Sequence, residues 1–167
     1  MSDYDNALSE GRKLSVEKIL MAIDKSGYKE KVINFAITLA KGLGAEVTAI
    51  HVIDKASVGI AGDLLGYYRG GKKEAYEEAY EDVLKQQAEK LLAEAEFLGK
   101  KEGIKIETEV LMHSHSVSEE IIDYAESKNV DLIVVGTKGL TGPAKFLLGS
   151  VASNVVAHAH CPVLAVR

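Results

Sequence analysis

The stretch of this chain best suited to chemistry runs from Gly136 to Ser150: Gly-Thr-Lys-Gly-Leu-Thr-Gly-Pro-Ala-Lys-Phe-Leu-Leu-Gly-Ser. It follows an apolar run, Leu132 to Val135, and leads into a helical pattern that opens at Ser150. Glycine lets a backbone approach a ligand closely and adopt positive φ. Ser150 is a good N-cap type, and its hydroxyl can serve either the helix or an anion. The amides of Ser150, Val151 and Ala152 would stand at the positive end of the helix dipole, where phosphate is held well. Lys138 and Lys145 add positive charge. A long loop with glycines at its turns has the same spacing, and spacing alone leaves both readings open. The stretch is not a P-loop, because G-x-x-x-x-G-K-S/T occurs nowhere, and no G-x-G-x-x-G opens the first helix.

Other residues invite weaker readings. Asp24 ends an apolar run, where it either caps a helix turn or faces a cleft. His113 and His115 alternate, and His158, His160 and Cys161 cluster near the last helix. Either set could bind a metal, but zinc sites need three or four converging ligands. A histidine at a helix C-terminus is explained more simply by the dipole. Cys161 precedes Pro162 at a strand entrance and reads as packing. Glu77, Glu78, Glu81 and Asp82 read as a solvated helix face, and Tyr67, Tyr68, Tyr76 and Tyr80 as a lid or partner surface. No nucleophile elbow, Ser-His-Asp set or motif-placed general base is found.

The elements that must position these groups follow from hydrophobic periodicity. Ile19-Leu20-Met21-Ala22-Ile23 is a short apolar run, the mark of a strand buried on both faces. Val32, Phe35, Ala36, Leu39, Ala40 and Leu43 recur at helical spacing, with Gly42 and Gly44 to end the helix. A second strand covers Val47 to Ile53. Residues 55–71 contain five glycines without a clear period and are expected to form a mobile loop. A long helix from about Lys72 to Lys101 carries Leu84, Ala88, Leu91, Ala95 and Leu98 on one stripe, and Gly103 ends it. Residues 104–110 alternate as a half-exposed strand. Ser116 and Glu119 form a capping box for the next helix. Leu132–Val135 is the fourth strand, Ser150 to about Ala159 the last helix, and Val163–Val166 the fifth strand. The order is β-α-β-α-β-α-β-α-β. Strands separated by helices run parallel through right-handed crossovers, which gives an α/β single domain: an open five-stranded parallel sheet with helices on both faces. Ligands in such sheets sit beyond the carboxyl ends of the strands, which directs attention to 24–27, 51–54 and 136 onward.

Composition narrows the function classes. The 167 residues suit one domain, and 47% hydrophobic with 27% charged residues is an ordinary globular mix. Net charge is −5 with the signs scattered, which argues against nucleic-acid binding, since that needs a basic face. A small anion remains open, because amides hold phosphate without net charge. A single cysteine excludes an intrachain disulfide and fits a reducing compartment. Residues 1–15 are polar and unpatterned, so a flexible tail is expected ahead of a domain at 16–167. No signal peptide or bilayer-length apolar run is seen, and a cytoplasmic location is expected.

Gly136-x-x-Gly139, nine residues, then Gly149-Ser150 resembles the G-x-x-G-x9-G-S/T signature of the universal stress protein family. The KILMAID opening, the AIHVID strand, DLIVVGTKG and the closing CPVLAV also resemble it, over roughly residues 16–167. The resemblance implies a Rossmann-like sheet of order 3-2-1-4-5, related to the adenine nucleotide alpha hydrolases, with ATP between the first and fourth strands. It implies a nucleoside pocket lined by Ala22, Ile23 and Asp24, and adenine against the backbone of Val52. Ribose and phosphates would lie on Val135, Gly136, Lys138, Gly139, Gly149, Ser150, Val151 and Ala152. ADP or AMP could replace ATP, and Mg or Mn would be held by the phosphates. The family often has a Gly-x-Pro-like turn after the third strand, and here Leu111–Ser116 departs from it. The implied function is nucleotide-dependent regulation in a stress response, through a partner not identified, by a homodimer joined at the last strand. The alternatives are a slow ATP hydrolase or phosphotransferase on the same scaffold, and a ligand-free dimeric scaffold. No membrane association is expected.

Overall fold

Ile19 and Met21 face one apolar cluster and Leu20 faces another, so the first strand, β1 (Lys18–Ala22), is buried on both sides. The computed structural model describes residues 15–113, 116–137 and 148–167. In chain order the elements are β1, α1 (Lys29–Leu43), β2 (Glu46–Asp54), α2 (Lys55–Arg69), α3 (Lys73–Lys101), β3 (Ile106–His113), α4 (Val117–Ser127), β4 (Leu132–Gly136), α5 (Ser150–His158) and β5 (Val163–Val166). The five strands form one sheet of order β3-β2-β1-β4-β5, and every pairing is parallel. Strand order therefore reverses between β1 and β4.

The helices divide between the two faces. Val32, Ile33, Ala36, Ile37 and Ala40 of α1 pack with Leu91, Leu92 and Ala95 of α3 against Met21, Val47 and Val134. Ile121 and Ala125 of α4 and Ala152 and Val155 of α5 cover Leu20, Ile50, Ile133 and Val135 on the other face. Ion pairs Lys29–Glu94 (2.5 Å) and Lys41–Glu102 (2.6 Å) brace α1 against α3. Gly44 at φ 70° returns its amide to the Ala40 carbonyl and ends α1. Ser116 caps α4 by accepting from the Glu119 amide at 3.4 Å.

Residues 55–69 are a helix, not the loop their glycines suggest. Asp54 caps it, Oδ1 accepting from the Ala56 amide at 2.8 Å. The glycines are what lets α2 lie close on α3. A Cβ on Gly62 would sit 2.4 Å from Glu77 Cγ, and Gly59 and Gly66 also come within 3.9 Å of α3. Asp63 and Lys73 pair across the hairpin at 2.7 Å. Gly70 and Gly71, both at positive φ, form the turn. The element order thus has two successive helices between β2 and β3.

Candidate functional site

Ala22, Ile23, Asp24, Val135 and Gly136 lie where β1 and β4 part. Ala22 is level with Ile50 of β2 on one side and with Val135 of β4 on the other. Gly136 closes β4 opposite Val166. Ile23 is buried and Asp24 half-buried, just past the end of β1. Asp24 Oδ1 accepts from the Ser26 amide at 3.0 Å, which fixes the turn itself. Asp24 does not cap α1, whose N-cap is Tyr28.

β2 outruns its neighbour. Pairing with β1 stops at Ala22 and Ile50, whereas β2 stays in register with β3 to Asp54. The Glu46 amide donates to Glu17 and the Ile50 carbonyl accepts from Ile23, so the even residues of β2 turn their backbone groups toward β1. In a parallel ladder that alternation carries on along the strand. The N–H and C=O of Val52 therefore point to the β1 side, beyond the end of β1. They form an adjacent donor and acceptor at the rim of the cleft.

The other wall is the start of α5. The Gly149 amide donates to the Thr137 carbonyl at 2.7 Å and Thr137 N–H to Val166 at 2.8 Å, which ties the helix to the sheet end. Gly149, not Ser150, is the N-cap, and the helix has no side-chain cap. Ser150, Val151 and Ala152 occupy the first turn, where amides lack intrahelical acceptors. Ser150 is exposed, Val151 half-buried and Ala152 buried. Thr137 Oγ1 is the one buried side-chain polar atom without a partner among the described residues. Lys138 and Gly139 lie outside the described residues, as do Lys145 and His115.

His158, His160 and Cys161 are accounted for by their surroundings, and the His113–His115 pair lies outside the described side chains. Among the described residues no group of three or more His, Cys, Asp or Glu is placed to hold a metal ion. The His158 and His160 rings bond instead to the carbonyls of Asn154 (2.9 Å) and Val130 (3.1 Å). Burial, and then the charge of Asp131, pushes the Cys161 thiol up, away from reactivity. Tyr67 and Tyr68 meet edge to face at 5.3 Å on the exposed side of α2, with Ile60 and Leu64 beside them. Tyr76 is tied down, its hydroxyl donating to the Gly70 carbonyl at 2.7 Å. No helix among the described residues is long and apolar enough to cross a membrane.

Sequence reasoning did not assign a role to two residues at this site. His51 Nδ1 bonds the Ile23 carbonyl at 2.8 Å, and Thr137 anchors the return of the chain to α5. A histidine inside an otherwise apolar strand end, next to Val52, was the available signal.

Comparison with known proteins agrees with this fold. The profile of the universal stress protein family matches residues 15–167. The universal stress protein MJ0531 of Methanocaldococcus jannaschii is 36% identical over 151 residues, covering 90% of this chain and 82% of that one. The structure that served for a structure-based assignment of biochemical function to the hypothetical protein MJ0577 superposes with a TM-score of 0.75 at 26% identity. It covers 90% of this chain and 95% of that chain. The universal stress protein from Archaeoglobus fulgidus in complex with dAMP gives a TM-score of 0.62 at 26% identity, covering 90% of this chain and 98% of that chain.

Proposed function

The chain belongs to the universal stress protein family, and from that premise we propose that it binds an adenine nucleotide, ATP in the first place, with occupancy altering its conformation or its hold on a partner. The observation that carries this reading is the overhang of β2, which leaves the Val52 N–H and C=O facing the cleft. Adenine offers an acceptor at N1 beside a donor at its 6-amino group, the complement of that pair. Guanine offers a donor beside an acceptor, so the same backbone disfavours it. Ala22, Ile23 and Asp24 would line the nucleoside. Val135 and Gly136 would lie under the ribose. The amides of Ser150, Val151 and Ala152 would receive phosphate at the start of α5. Gly139 belongs to the signature and would allow close backbone approach, and Lys138 beside it would add charge. The dAMP complex of the Archaeoglobus fulgidus relative supports an adenine ligand. Mg or Mn would travel with the phosphates on phosphate and water oxygens.

Calorimetric titration with ATP, ADP, AMP and GTP tests the reading. Saturable binding of adenine nucleotides, with GTP weaker by about tenfold or more, is expected from one reversed donor–acceptor pair. No binding at millimolar ATP defeats it.

The partner surface proposed for self-association is the free edge of β5. Pro162 and Val166 turn their carbonyls to β4, so Val163 and Ala165 turn theirs outward. That edge is apolar and short, with Val156 of α5 half-exposed nearby on one face of the sheet. On the other face Lys31 reaches the Arg167 carbonyl at 3.2 Å, and Phe35, one helical turn on, is half-exposed. The opposite edge, β3, carries exposed Glu107 and Glu109 after Lys105, charges that discourage pairing. A homodimer through β5 follows, and light scattering that shows only monomer would reject it.

A further inference from the structure

The last rung between β1 and β2 is the Ile23 amide donating to the Ile50 carbonyl at 3.0 Å. In a parallel ladder the carbonyl of the same residue would next accept from the amide two positions along the partner strand, here Val52. Among the described residues no backbone amide reaches the Ile23 carbonyl. The His51 ring takes it instead, Nδ1 at 2.8 Å. A carbonyl oxygen only accepts, so Nδ1 carries the proton. Ile23 is 4% exposed, and a buried carbonyl left without a donor is costly, so it would draw the Val52 amide if the ring were absent.

We propose that His51 is a positioning residue: by occupying the Ile23 carbonyl it stops the β1–β2 ladder one rung short and keeps the Val52 amide unpaired for an adenine base. The inference rests on the adenine-site reading above. The same bond holds Ile23, and with it the turn that carries Asp24, at the rim of the cleft.

Three proteins test it: wild type, His51→Leu, which has no donor, and His51→Asn, whose amide nitrogen stands close to the Nδ1 position. In ATP titrations His51→Leu should bind about tenfold more weakly, the worth of one net hydrogen bond, and its preference for ATP over GTP should shrink. His51→Asn should recover to within about threefold of wild type by restoring the donor. Amide hydrogen exchange without nucleotide gives an independent readout. The Val52 amide should exchange much faster than that of Ile50 in wild type and in His51→Asn, and become protected in His51→Leu. Equal ATP affinity for wild type and His51→Leu overturns the proposal. So does a His51→Asn protein as weak as the leucine variant, or a Val52 amide already protected in wild type. A wild type that binds no adenine nucleotide, with the exchange pattern as expected, overturns the site reading and strips the ligand from this inference. The two failures are thereby told apart.

Discussion

The Gly149 amide is spent on the Thr137 carbonyl at 2.7 Å, and the next amides of the chain, from Ser150 to Ala152, have no side-chain cap to accept them. The helix start is thus anchored to the sheet, while among the described residues no side chain caps its first turn. An aspartate at the N-cap would supply an acceptor from within the protein.

Gly149→Asp should accordingly move stability and binding in opposite directions. Its carboxylate would accept from the first-turn amides and favour the helix dipole, raising stability by about 0.3–1 kcal/mol. It would also occupy and repel the phosphate position, weakening ATP binding by about tenfold or more. Thermal unfolding and calorimetry on the same sample check both halves.

Ala165→Pro should prevent the proposed β5 homodimer and leave the monomer folded. The Ala165 amide faces away from β4, so proline removes an edge donor without touching the β4–β5 ladder. Light scattering should show a monomer, and ATP affinity should stay within about threefold of wild type because the proposed site draws on residues of one chain.

Two helical glycines should respond oppositely to alanine. Gly42 has nothing within 4 Å of an added Cβ, so Gly42→Ala should stabilise by about 0.5–1 kcal/mol through helix propensity alone. At Gly99 the added carbon would lie 2.6 Å from Ile106 Cδ1 and 2.8 Å from the Ile104 carbonyl. Gly99→Ala should destabilise by about 1–3 kcal/mol in spite of the same propensity gain. Denaturant midpoints measure both.

Alkaline stability should carry a signature of Tyr124. Burial first, and then its hydrogen bond to Glu109 (2.8 Å), push its hydroxyl well above the ordinary tyrosine value of 10.0. The neutral form is the one the fold favours. Its contribution is therefore complete below pH 10 and is lost as pH rises from there. Tyr124→Phe should unfold at a lower temperature than wild type at pH 8, and the gap should narrow above pH 10 as wild type declines more steeply.

The strands were legible because β1, β4 and β5 are short apolar runs that only a sheet covered on both faces explains, and their parallel pairing follows from the helices between them. The glycines of α2 were misleading for a physical reason: the absent side chains that look like flexibility are what admits α3. On α1 the sequence pattern favoured Phe35 and Leu43, yet Ile33 and Ile37 are the buried pair, because the helix packs against α3 as well as the sheet. Gly136, Gly149 and the start of α5 could be read as a loop suited to phosphate. The register of β2 against β1 could not, because it depends on strands that meet only in space, so Val52 was reached only through the family resemblance and the His51–Ile23 bond stayed hidden.

The raggedness of the sheet's rim has a consequence for variation in this protein. A base read by main-chain groups at position 52 places little demand on which side chain stands there. Val52→Ile or Val52→Thr would leave base choice intact, whereas shortening β2 or lengthening β1 by two residues would erase it with every nearby side chain in place. On the adenine-site proposal, discrimination between purines would be written in the relative lengths of two strands.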